Sequence, residues 1–445
     1  MAKYATIIVS AFLLTLILRS PPVEATPGDI HVPYDYPTIQ AAVNAATPGD
    51  TVIVHSGTYF EHITIDKQLV LTGVDLTAII DGGGTGTVIN ATSSGVVITG
   101  LRIQNAGDNW TQRDSGIFVG NKQFCQAEFN HIENCRLGIY LQDSSHIEIV
   151  GNILTNNPEG IRLERSTHNN INHNSIVDND YNLVISTLSN FNGIKSNYIA
   201  DASSSGIHIQ TWSTNNTIYG NEIKNCSYGV LLSQSDSNII YHNSFIENTD
   251  QAWLGSSLNN EWNIDWPDGG NYWSDHTNSD VKSGEYQMGP GSDGISDSPY
   301  NVDAGYMDKY PCAGPVNYFT VEYILPEDIV VISNSSISEF QMNTTERTMA
   351  FHATGNTGVG FSRADIPNTI VSGLWDKNYQ VFVNGLPIAF GNWTEGSRTY
   401  IYFRYTHSTS EIMIIPEAMN PTVLGAFMMA TIVLAVVSKR RTLSA

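Results

Sequence analysis

The feature that most constrains this sequence is a repeat of about 22 residues through its central part. A glycine followed by an aliphatic residue recurs from Gly116 to Gly229, and Asn182 occupies the position of one missing glycine. Successive markers are 22, 22, 22, 24 and 23 residues apart. A series of asparagines keeps the same period: Asn130, Asn152, Asn174, Asn197, Asn221 and Asn243. Two independent markers with one period predict a solenoid, in which each repeat packs on its neighbours.

Within each repeat, apolar and polar residues alternate. After Gly138, for example, Ile139 and Leu141 alternate with Tyr140 and Gln142. A period of two is typical of a short strand with one buried face. About 22 residues suit one coil with three strands and three turns, so the sequence predicts an all-β parallel β-helix. Stacked asparagines fit this architecture, because an amide both donates and accepts hydrogen bonds and asparagine tolerates the left-handed backbone of tight corners.

The two ends of such a solenoid need to be covered. At the start, the segment 38–46 places apolar residues on one helical stripe, which predicts a capping helix. At the other end, aromatic residues crowd together and predict an apolar plug over the last coil, with stacking on sugar rings as the alternative. These aromatic residues are Trp253, Trp262, Trp266, Tyr272 and Trp273.

Several segments resemble known β-helix proteins. The stretches PTIQAAVNAATPGDTVIV and GTYFEHITI resemble the start of pectin-lyase-like and pectinesterase-like proteins. The span from Asp29 to about Pro311 resembles the NosD-type family, and GSDGISDSPYNVDAGYMDKYP is similar to that family's usual end of the helix. The resemblance implies a right-handed parallel β-helix over residues 26–315. It also implies copper delivery to a nitrous oxide reductase, but no cluster of Met or Cys selects copper here.

The composition changes after Pro315. The repeat stops, and β-rich segments such as YQVFVNG and TYIYFRYTH follow. About 100 residues of this kind predict a small β-sandwich over residues 316–416. GFSRADIP and YIYFRYTHSTSEIMIIPE resemble a membrane-proximal domain that recurs in archaeal surface proteins.

Both ends of the chain carry targeting signals. Residues 1–25 have a basic start, an apolar run and a small-residue site, which predict a secretory signal peptide, with a retained anchor as the alternative. Residues 422–438 carry no charge, and the basic residues Lys439, Arg440 and Arg441 follow them. This pattern predicts that residues 417–445 form a single membrane anchor with a cytoplasmic tail. The bulk of the chain is then extracellular, and seven N-x-S/T sequons fit an exported glycoprotein. The formal charge of −22 argues against nucleic acid as a partner.

Polar residues at outward positions of the repeat define the candidate site. One row contains Tyr140, Arg162 and His208, and its neighbour contains Gln142, Glu164 and Gln210. We expect these six residues to form a strip that binds extracellular glycans, with Arg162 placed to receive a carboxylate or sulfate in a bidentate manner. Glycoside hydrolysis needs two carboxylates, and these rows supply one, so no catalytic residue is assigned. The alternatives are a solvated face, a carbohydrate-active enzyme (polysaccharide lyase, hydrolase or epimerase) and a NosD-like copper-processing factor.

Metal ligands and disulfides are the remaining candidates. Asp293, Asp297 and Asp303 lie in an Asp/Gly-rich stretch, and carboxylate oxygens suit calcium; a glycine-rich loop over the last coil is the alternative. His146 and His168 are 22 residues apart and are expected to stack on adjacent coils. Of the four cysteines, only Cys125 with Cys135 remains open as a disulfide, because Cys135 and Cys226 lie four coils apart.

Overall fold

The computed structural model describes residues 28–303 and 305–417. Within them, the repeat folds into three parallel sheets of ten, nine and ten strands, and each coil contributes one strand to each sheet. The parallel β-solenoid that the repeat predicted is therefore confirmed. The predicted signal peptide and the predicted anchor at 417–445 lie outside the described residues, apart from Glu417. No helix in the described ranges is both long and apolar enough to cross a membrane.

The strands of the solenoid are short, and most have three to six residues. Sheet 1 contains Asp29–Val32, Thr51–Val54, Val70–Gly73, Val97–Thr99, Gln126–Glu128, Glu148–Val150, Asn170–Asn172, Gly193–Lys195, Thr217–Tyr219 and Ile239–Tyr241. Sheet 2 contains Gly57–Phe60, Ala78–Asp81, Arg102–Gln104, His131–Glu133, Ile153–Thr155, Ser175–Val177, Tyr198–Ala200, Glu222–Lys224, Ser244–Ile246 and Tyr272–Trp273. Sheet 3 contains Ile63–Ile65, Ile89–Ala91, Ser115–Gly120, Leu137–Gln142, Glu159–Glu164, Tyr181–Ser186, Ser205–Gln210, Tyr228–Ser233 and Asp250–Gly255.

Stacked side chains hold successive coils in register. The inward aliphatic residues form one continuous core along the axis. At a corner of the coils from Asn130 onward, the amide of one asparagine bonds to the asparagine one coil further on, as between Asn152 and Asn174 at 3.0 Å. Asn174 continues this ladder to Asn197, and Asn197 continues it to Asn221. The asparagine period found in the sequence is thus the period of a buried hydrogen-bond ladder.

Both ends of the solenoid are covered. Helix α1 (Ile39–Ala45) begins after Thr38, whose hydroxyl accepts from the backbone N–H of Ala41, and buries its apolar stripe against the first coils. At the far end Trp262 and Trp273 are fully buried, which confirms the plug for these two residues. Trp253, by contrast, remains 43% exposed. The last part of this region forms two short antiparallel pairs, with strands Lys282–Ser283, Gly289–Pro290, Tyr300–Asp303 and Tyr306–Asp308.

Two five-stranded antiparallel sheets follow and share a second apolar core. One sheet contains Val316–Glu322, Pro326–Ser333, Val359–Pro367, Phe390–Glu395 and Arg398–Thr406. The other contains Ser336–Asn343, Thr348–Thr354, Tyr379–Val383, Leu386–Pro387 and Thr409–Pro416, and helix α2 (Asn368–Trp375) packs on the same core. Polar contacts join this part to the solenoid: Lys195 pairs with Asp328 at 2.6 Å, and the Tyr318 hydroxyl lies 2.7 Å from Nδ1 of His242.

The four cysteines are buried and free. The pairing of Cys125 with Cys135, left open by the sequence, does not form. The thiol of Cys135 instead lies 3.3 Å from the carbonyl oxygen of Glu133, and that of Cys226 lies 3.2 Å from the carbonyl oxygen of Lys224.

Candidate functional site

The register of sheet 3 brings the predicted site residues onto one outer face. Tyr140 pairs with Arg162, Arg162 with Val184, and Val184 with His208, so the first row runs straight along the solenoid. In the second row, Gln142 pairs with Glu164. The last member of that row, Gln210, follows His208 by two residues on the same strand and pairs with Ser233. The rows deduced from the sequence are therefore the rows of the structure.

The first half of this face is covered rather than open. Between the strands that end at Gln104 and begin at Ser115, a loop of residues 105–114 folds over the neighbouring coils. Its Trp110 ring lies 4.9 Å from the guanidinium of Arg136 and 5.4 Å from that of Arg162, which are cation–π distances. Tyr140 is consequently only 1% exposed. This end of the predicted strip is therefore covered by a loop, which the sequence periodicity did not reveal.

Glu164 lies at the centre of a cluster of charged groups. Its carboxylate pairs with Arg113 at 2.6 Å and with Arg165 at 2.5 Å, and it accepts a hydrogen bond from the Tyr140 hydroxyl at 3.1 Å. Burial by itself would raise the pKa of this carboxyl, but the hydrogen bonds from Arg113 and Arg165 and the charge of Arg113 outweigh it. The pKa of Glu164 therefore lies below its usual range, and the group is a carboxylate at neutral pH.

Tyr140 is held between a cation and this anion. Its hydroxyl accepts a hydrogen bond from Nη1 of Arg113 while it donates to Glu164. Burial, followed by the charge of Glu164, raises the pKa of the phenol to about 12. Tyr140 is thus a neutral phenol that positions Arg113 and Glu164 relative to each other.

Arg162 is also engaged within the protein. Its Nη1 pairs with the Glu159 carboxylate at 2.9 Å, and its Nη2 donates to the Ser186 hydroxyl at 3.2 Å. Only Nε–H lacks a hydrogen-bond partner, with Glu164 at 3.9 Å. The sequence placed Arg162 as the receptor of an anionic ligand. In the structure its two terminal nitrogens already donate hydrogen bonds to the Glu159 carboxylate and the Ser186 hydroxyl.

The other half of the face is less covered and contains His208. Its ring stacks on Tyr181, with the ring centroids 5.9 Å apart. Burial, and after it the charge of Arg162, lowers the pKa of His208 to about 4. The imidazole is neutral at pH 7. Beside it, Gln210 lies next to the turn that carries Trp212, a residue that is 59% exposed.

Several residues of this face were missed by the sequence interpretation. Trp110 and Arg113 belong to the covering loop, and Glu159 precedes the glycine that was used as a marker. The loop had a signal: Ile89 and Ile117 are aligned on adjacent coils although 28 residues separate them, six more than the usual period. The pair of Arg165 with Asp143, expected from their positions one coil apart, is confirmed at 2.7 Å.

The three acids proposed for calcium do not share one site. Asp293 accepts hydrogen bonds from the N–H groups of Gly284 and Ile295, and Asp297 accepts from that of Lys282. Asp303 lies elsewhere and accepts from the N–H of Leu254 at 2.8 Å.

The acid that approaches this loop is Asp280. Its carboxylate accepts hydrogen bonds from the N–H groups of Asp293 and Gly294, each at 3.0 Å. Burial raises the pKa of Asp280 to about 7. Within the described ranges, no group of three or more His, Cys, Asp or Glu residues is arranged to hold a metal ion. These carboxylates hold the loop together through backbone hydrogen bonds.

A family model described as "Periplasmic copper-binding protein (NosD)" matches residues 44–278, which is more than half of the chain. The chain belongs to the NosD family. A curated relative, the probable ABC transporter binding protein NosD of Pseudomonas aeruginosa, is 31% identical over 98 residues. This match covers 22% of the present chain and spans only 23% of the relative.

Solved structures with similar folds are distant from this NosD-family chain. The A-module of the Azotobacter vinelandii mannuronan C-5 epimerase AlgE6 is 16% identical, with coverage of 49% of this chain and 74% of that one and a TM-score of 0.39. The Dettilon tailspike protein is 13% identical, with coverage of 87% and 93% and a TM-score of 0.41. The pectate lyase Pel9A is 13% identical, with coverage of 49% and 72% and a TM-score of 0.37.

The family description raises the question of which residues of this NosD-family chain could hold copper. The four cysteines are buried and free, and none belongs to a group of three or more His, Cys, Asp or Glu residues arranged for a metal ion in the described part of the chain. His146 and His168 stack with an interplanar angle of 8° and centroids 5.5 Å apart, so their nitrogen lone pairs lie in nearly parallel planes. His31 and His55 fit better, because Nδ1 of His31 lies 3.0 Å from Nε2 of His55. Imidazole nitrogens are ligands that copper favours.

Proposed function

We propose that this protein is an extracytoplasmic module that binds an extended glycan on the outer face of sheet 3 and does not cleave it. The observation that supports this most is the cluster of Arg113, Tyr140, Arg162 and Glu164 beneath Trp110. Such a cluster costs desolvation of charged groups, and a face that only meets water does not require it. Ordered polar groups beside an exposed aromatic ring are the usual composition of a site for hydroxyl-rich ligands.

The size of the face fits a polymer. From Tyr140 to His208 there are three steps between paired strands. Neighbouring strands are about 4.8 Å apart, so the row extends roughly 14 Å, about the length of three sugar units. Trp110 lies against Arg162 near one end of this row, and Trp212 lies in the turn that follows the strand of His208 at the other end. Both rings are partly exposed. They could each stack on a sugar ring while the half-buried Gln142 and Gln210 bond hydroxyl groups between them.

The charges favour an uncharged glycan over an acidic one. The arginines of the face are all paired: Arg113 and Arg165 with Glu164, Arg162 with Glu159, and Arg136 with Asp108 at 3.5 Å. A carboxylate or sulfate of a ligand would have to displace one of these partners. The formal charge of −22 on the whole chain adds long-range repulsion of polyanions. This replaces the acidic ligand that the sequence suggested for Arg162.

The protonation state of Glu164 argues against hydrolysis of a glycan. A glycosidase needs one carboxyl group that remains protonated as a general acid, and such groups have raised pKa values. The pKa of Glu164 is lowered instead, so this group holds no proton to donate near neutral pH.

A second candidate function is a lyase or epimerase reaction on a uronic acid polymer. One observation favours it: His208 is a neutral imidazole close to the charge of Arg162. A neutral imidazole can remove a proton next to a carboxylate, and a guanidinium can stabilise the charge that develops. This candidate requires Arg162 to exchange Glu159 for the substrate.

The cellular location is part of the proposal. The description of the NosD family names the periplasm, and the N-terminal sequence resembles a signal peptide, so we place residues 26–416 outside the cytoplasm. We further propose that residues 417–445 anchor the chain. Expression of a chain that ends at Pro416 should then give protein in the soluble extracytoplasmic fraction. Recovery of this shorter chain with the membranes would contradict the single anchor.

Binding can be tested with an array of neutral and acidic glycans probed with the full-length protein. We expect binding to a neutral polysaccharide. Replacement of Trp110 by alanine should weaken it by about 1 kcal/mol, roughly fivefold in Kd, through loss of ring stacking. Phe129→Ala is the matched control, because Phe129 is 61% exposed but lies in the turn between sheets 1 and 2. Equal effects of both substitutions, or no binding to any glycan, would refute the proposed face.

Activity assays on the same protein preparation distinguish the two candidate functions. The binding module should leave every polymer intact. The lyase or epimerase should produce unsaturated ends or inverted uronic acids from an acidic polymer, and His208→Gln should abolish this product. A product made by the wild type and not by this variant would replace the first candidate with the second.

A further inference from the structure

We propose that a cleft between the solenoid and the antiparallel sheets that follow it binds a small hydroxylated amine, of the class of the amino sugars. This junction cleft has a volume of about 270 Å³, which suits a ligand no larger than a monosaccharide. It lies on the outer side of sheet 1 and shares no residue with the glycan-binding face of sheet 3. The polar groups around it include Tyr219, Tyr241, Asp268, Asp328, Asp365 and Arg398.

Two stacked tyrosines form the wall of the junction cleft on the solenoid side. Tyr219 and Tyr241 end neighbouring strands of sheet 1, and their rings lie parallel with the centroids 5.3 Å apart. Burial raises the pKa of both phenols, so each hydroxyl is neutral at pH 7 and can donate a hydrogen bond. No described residue bonds either hydroxyl. This wall therefore presents two hydroxyl donors to a ligand.

The sandwich side of the junction cleft contributes Asp328 and Asp365, and cations of the protein pair with both. Nζ of Lys195 lies 2.6 Å from Asp328, and Nε of Arg398 donates to Oδ1 of Asp365. Asp365 is only 3% exposed, and burial raises the pKa of its carboxyl to about 6. Among the described residues, none donates to its second oxygen, Oδ2. A donor on a ligand would satisfy this oxygen, which the protein leaves unpaired.

Asp268 is the carboxylate of the junction cleft that lacks a cationic partner in the described part of the chain. Its Oδ1 accepts a hydrogen bond from the Tyr400 hydroxyl. The buried Arg363 donates to the backbone carbonyls of Pro267 and Asp268 and not to this carboxylate. His242 adds no charge, because burial lowers the pKa of its imidazole. A protonated amine is the ligand group that complements an unpaired carboxylate.

The free donors of the junction cleft require acceptors that carry no negative charge. Besides the two tyrosine hydroxyls, Nη1 of Arg398 has no acceptor among the described residues, since Nε and Nη2 bond Asp365 and the carbonyl of Asp328. A carboxylate on the ligand would fit Arg398 but would meet Asp268 and Asp365 close by. Hydroxyl oxygens accept from the same donors without this repulsion. One amine together with several hydroxyl groups therefore matches the whole lining.

The test is isothermal titration calorimetry of the full-length protein at pH 7 with glucosamine and with N-acetylglucosamine. Glucosamine carries a protonated amine, whereas the acetylated sugar keeps most of the hydroxyl groups and has no charge. We expect one equivalent of glucosamine to bind. N-acetylglucosamine should bind at least tenfold more weakly, because it cannot form a charged hydrogen bond with Asp268.

A pair of matched variants tests the role of Asp268. Asp268→Asn removes the charge but keeps an oxygen that can accept from Tyr400, and it should weaken glucosamine binding at least tenfold. Asp265→Asn is the control, because Asp265 is an exposed carboxylate that lies three residues earlier and does not line the junction cleft. This control variant should bind glucosamine as the wild type does.

Tyr241→Phe provides a second test if Asp268→Asn does not fold, as judged by circular dichroism. It keeps the stacked ring and removes only the hydroxyl, so glucosamine should bind about threefold more weakly. The proposal is overturned if the wild type binds no stoichiometric glucosamine, or if N-acetylglucosamine binds as tightly. It is also overturned if folded Asp268→Asn binds as tightly as Asp265→Asn, or if Tyr241→Phe binds as tightly as the wild type.

Discussion

Removal of one side-chain amide from the asparagine ladder should destabilise the solenoid more than the small volume of that amide group suggests. Asn174 is 1% exposed, and its side chain takes part in five hydrogen bonds. Its oxygen accepts from the backbone N–H and from Nδ2 of Asn152, at 2.9 and 3.0 Å. Its Nδ2 donates to Asn197 and to the carbonyls of Ile149 and Asn172.

The expected magnitude follows from these partners. Asn174→Ala would leave the buried backbone N–H of Asn152 without its side-chain acceptor, and Nδ2 of Asn152 would keep only the carbonyls of Ala127 and Val150. The carbonyls of Ile149 and Asn172 would each lose a donor. A net hydrogen bond contributes about 1 kcal/mol, and an unsatisfied buried group costs about 1–3 kcal/mol. We therefore expect the free energy of unfolding to fall by about 3–5 kcal/mol.

The assay is urea denaturation of the full chain, followed by circular dichroism, together with amide hydrogen exchange. Exchange is needed because a repeat protein can open coil by coil. The backbone N–H of Asn152 should exchange much faster in the variant. Asn170→Ala is the control on the same coil, since Asn170 is exposed and its side chain bonds only Glu148. That change should cost less than about 1 kcal/mol. Equal losses in the two variants would refute the ladder as a source of stability.

Three further predictions follow from the coils, the thiols and a buried histidine. Deletion of the 22 residues 160–181 should shorten the solenoid yet leave its circular dichroism per residue unchanged, whereas deletion of about 11 residues should abolish folding because inward positions would face outward. The four buried cysteines should react with a thiol reagent only after unfolding, because burial raises the pKa of the Cys135 thiol to about 12 and that of the Cys226 thiol to about 11. Rapid labelling of the native chain would contradict this prediction. His208 has a pKa of about 4 when folded and about 6.5 when unfolded, so the unfolded state takes up the proton first and stability should fall as the pH drops from 6.5 to 4. His208→Gln should flatten this decline in the urea midpoint, and an unchanged slope would show that other groups cause it.

The repeat explains why so much of the solenoid could be read from the sequence. Glycine and asparagine markers recur once per coil, and alternating residues identify the buried side of each strand. Because equivalent residues of a parallel β-helix stack directly on one another, the positions of Tyr140, Arg162 and His208 in one row followed from counting alone. The capping helix after Thr38 could also be predicted, since its apolar stripe and its cap are local features.

The covering of that row could not be predicted in the same way. Arg113 reaches Glu164 across 51 residues of sequence, and Trp110 lies on Arg162 because a loop folds back over the sheet. Which coil a loop covers depends on side-chain packing in three dimensions and not on a period. For this reason the repeat placed Tyr140 and Glu164 at outward positions but could not show that they are buried.

The two histidine pairs show the same division between sequence and structure. The period by itself placed His146 and His168 on adjacent coils, and their rings do stack. No period relates His31 to His55, since they lie at the irregular start of the solenoid, 24 residues apart. Only the tertiary structure decides whether nitrogens converge on one point or lie in parallel planes, because ring orientation depends on the backbone angles and neighbours of each residue. The sequence determined the stacking of the coils, and the packing between coils determined which side chains can act together.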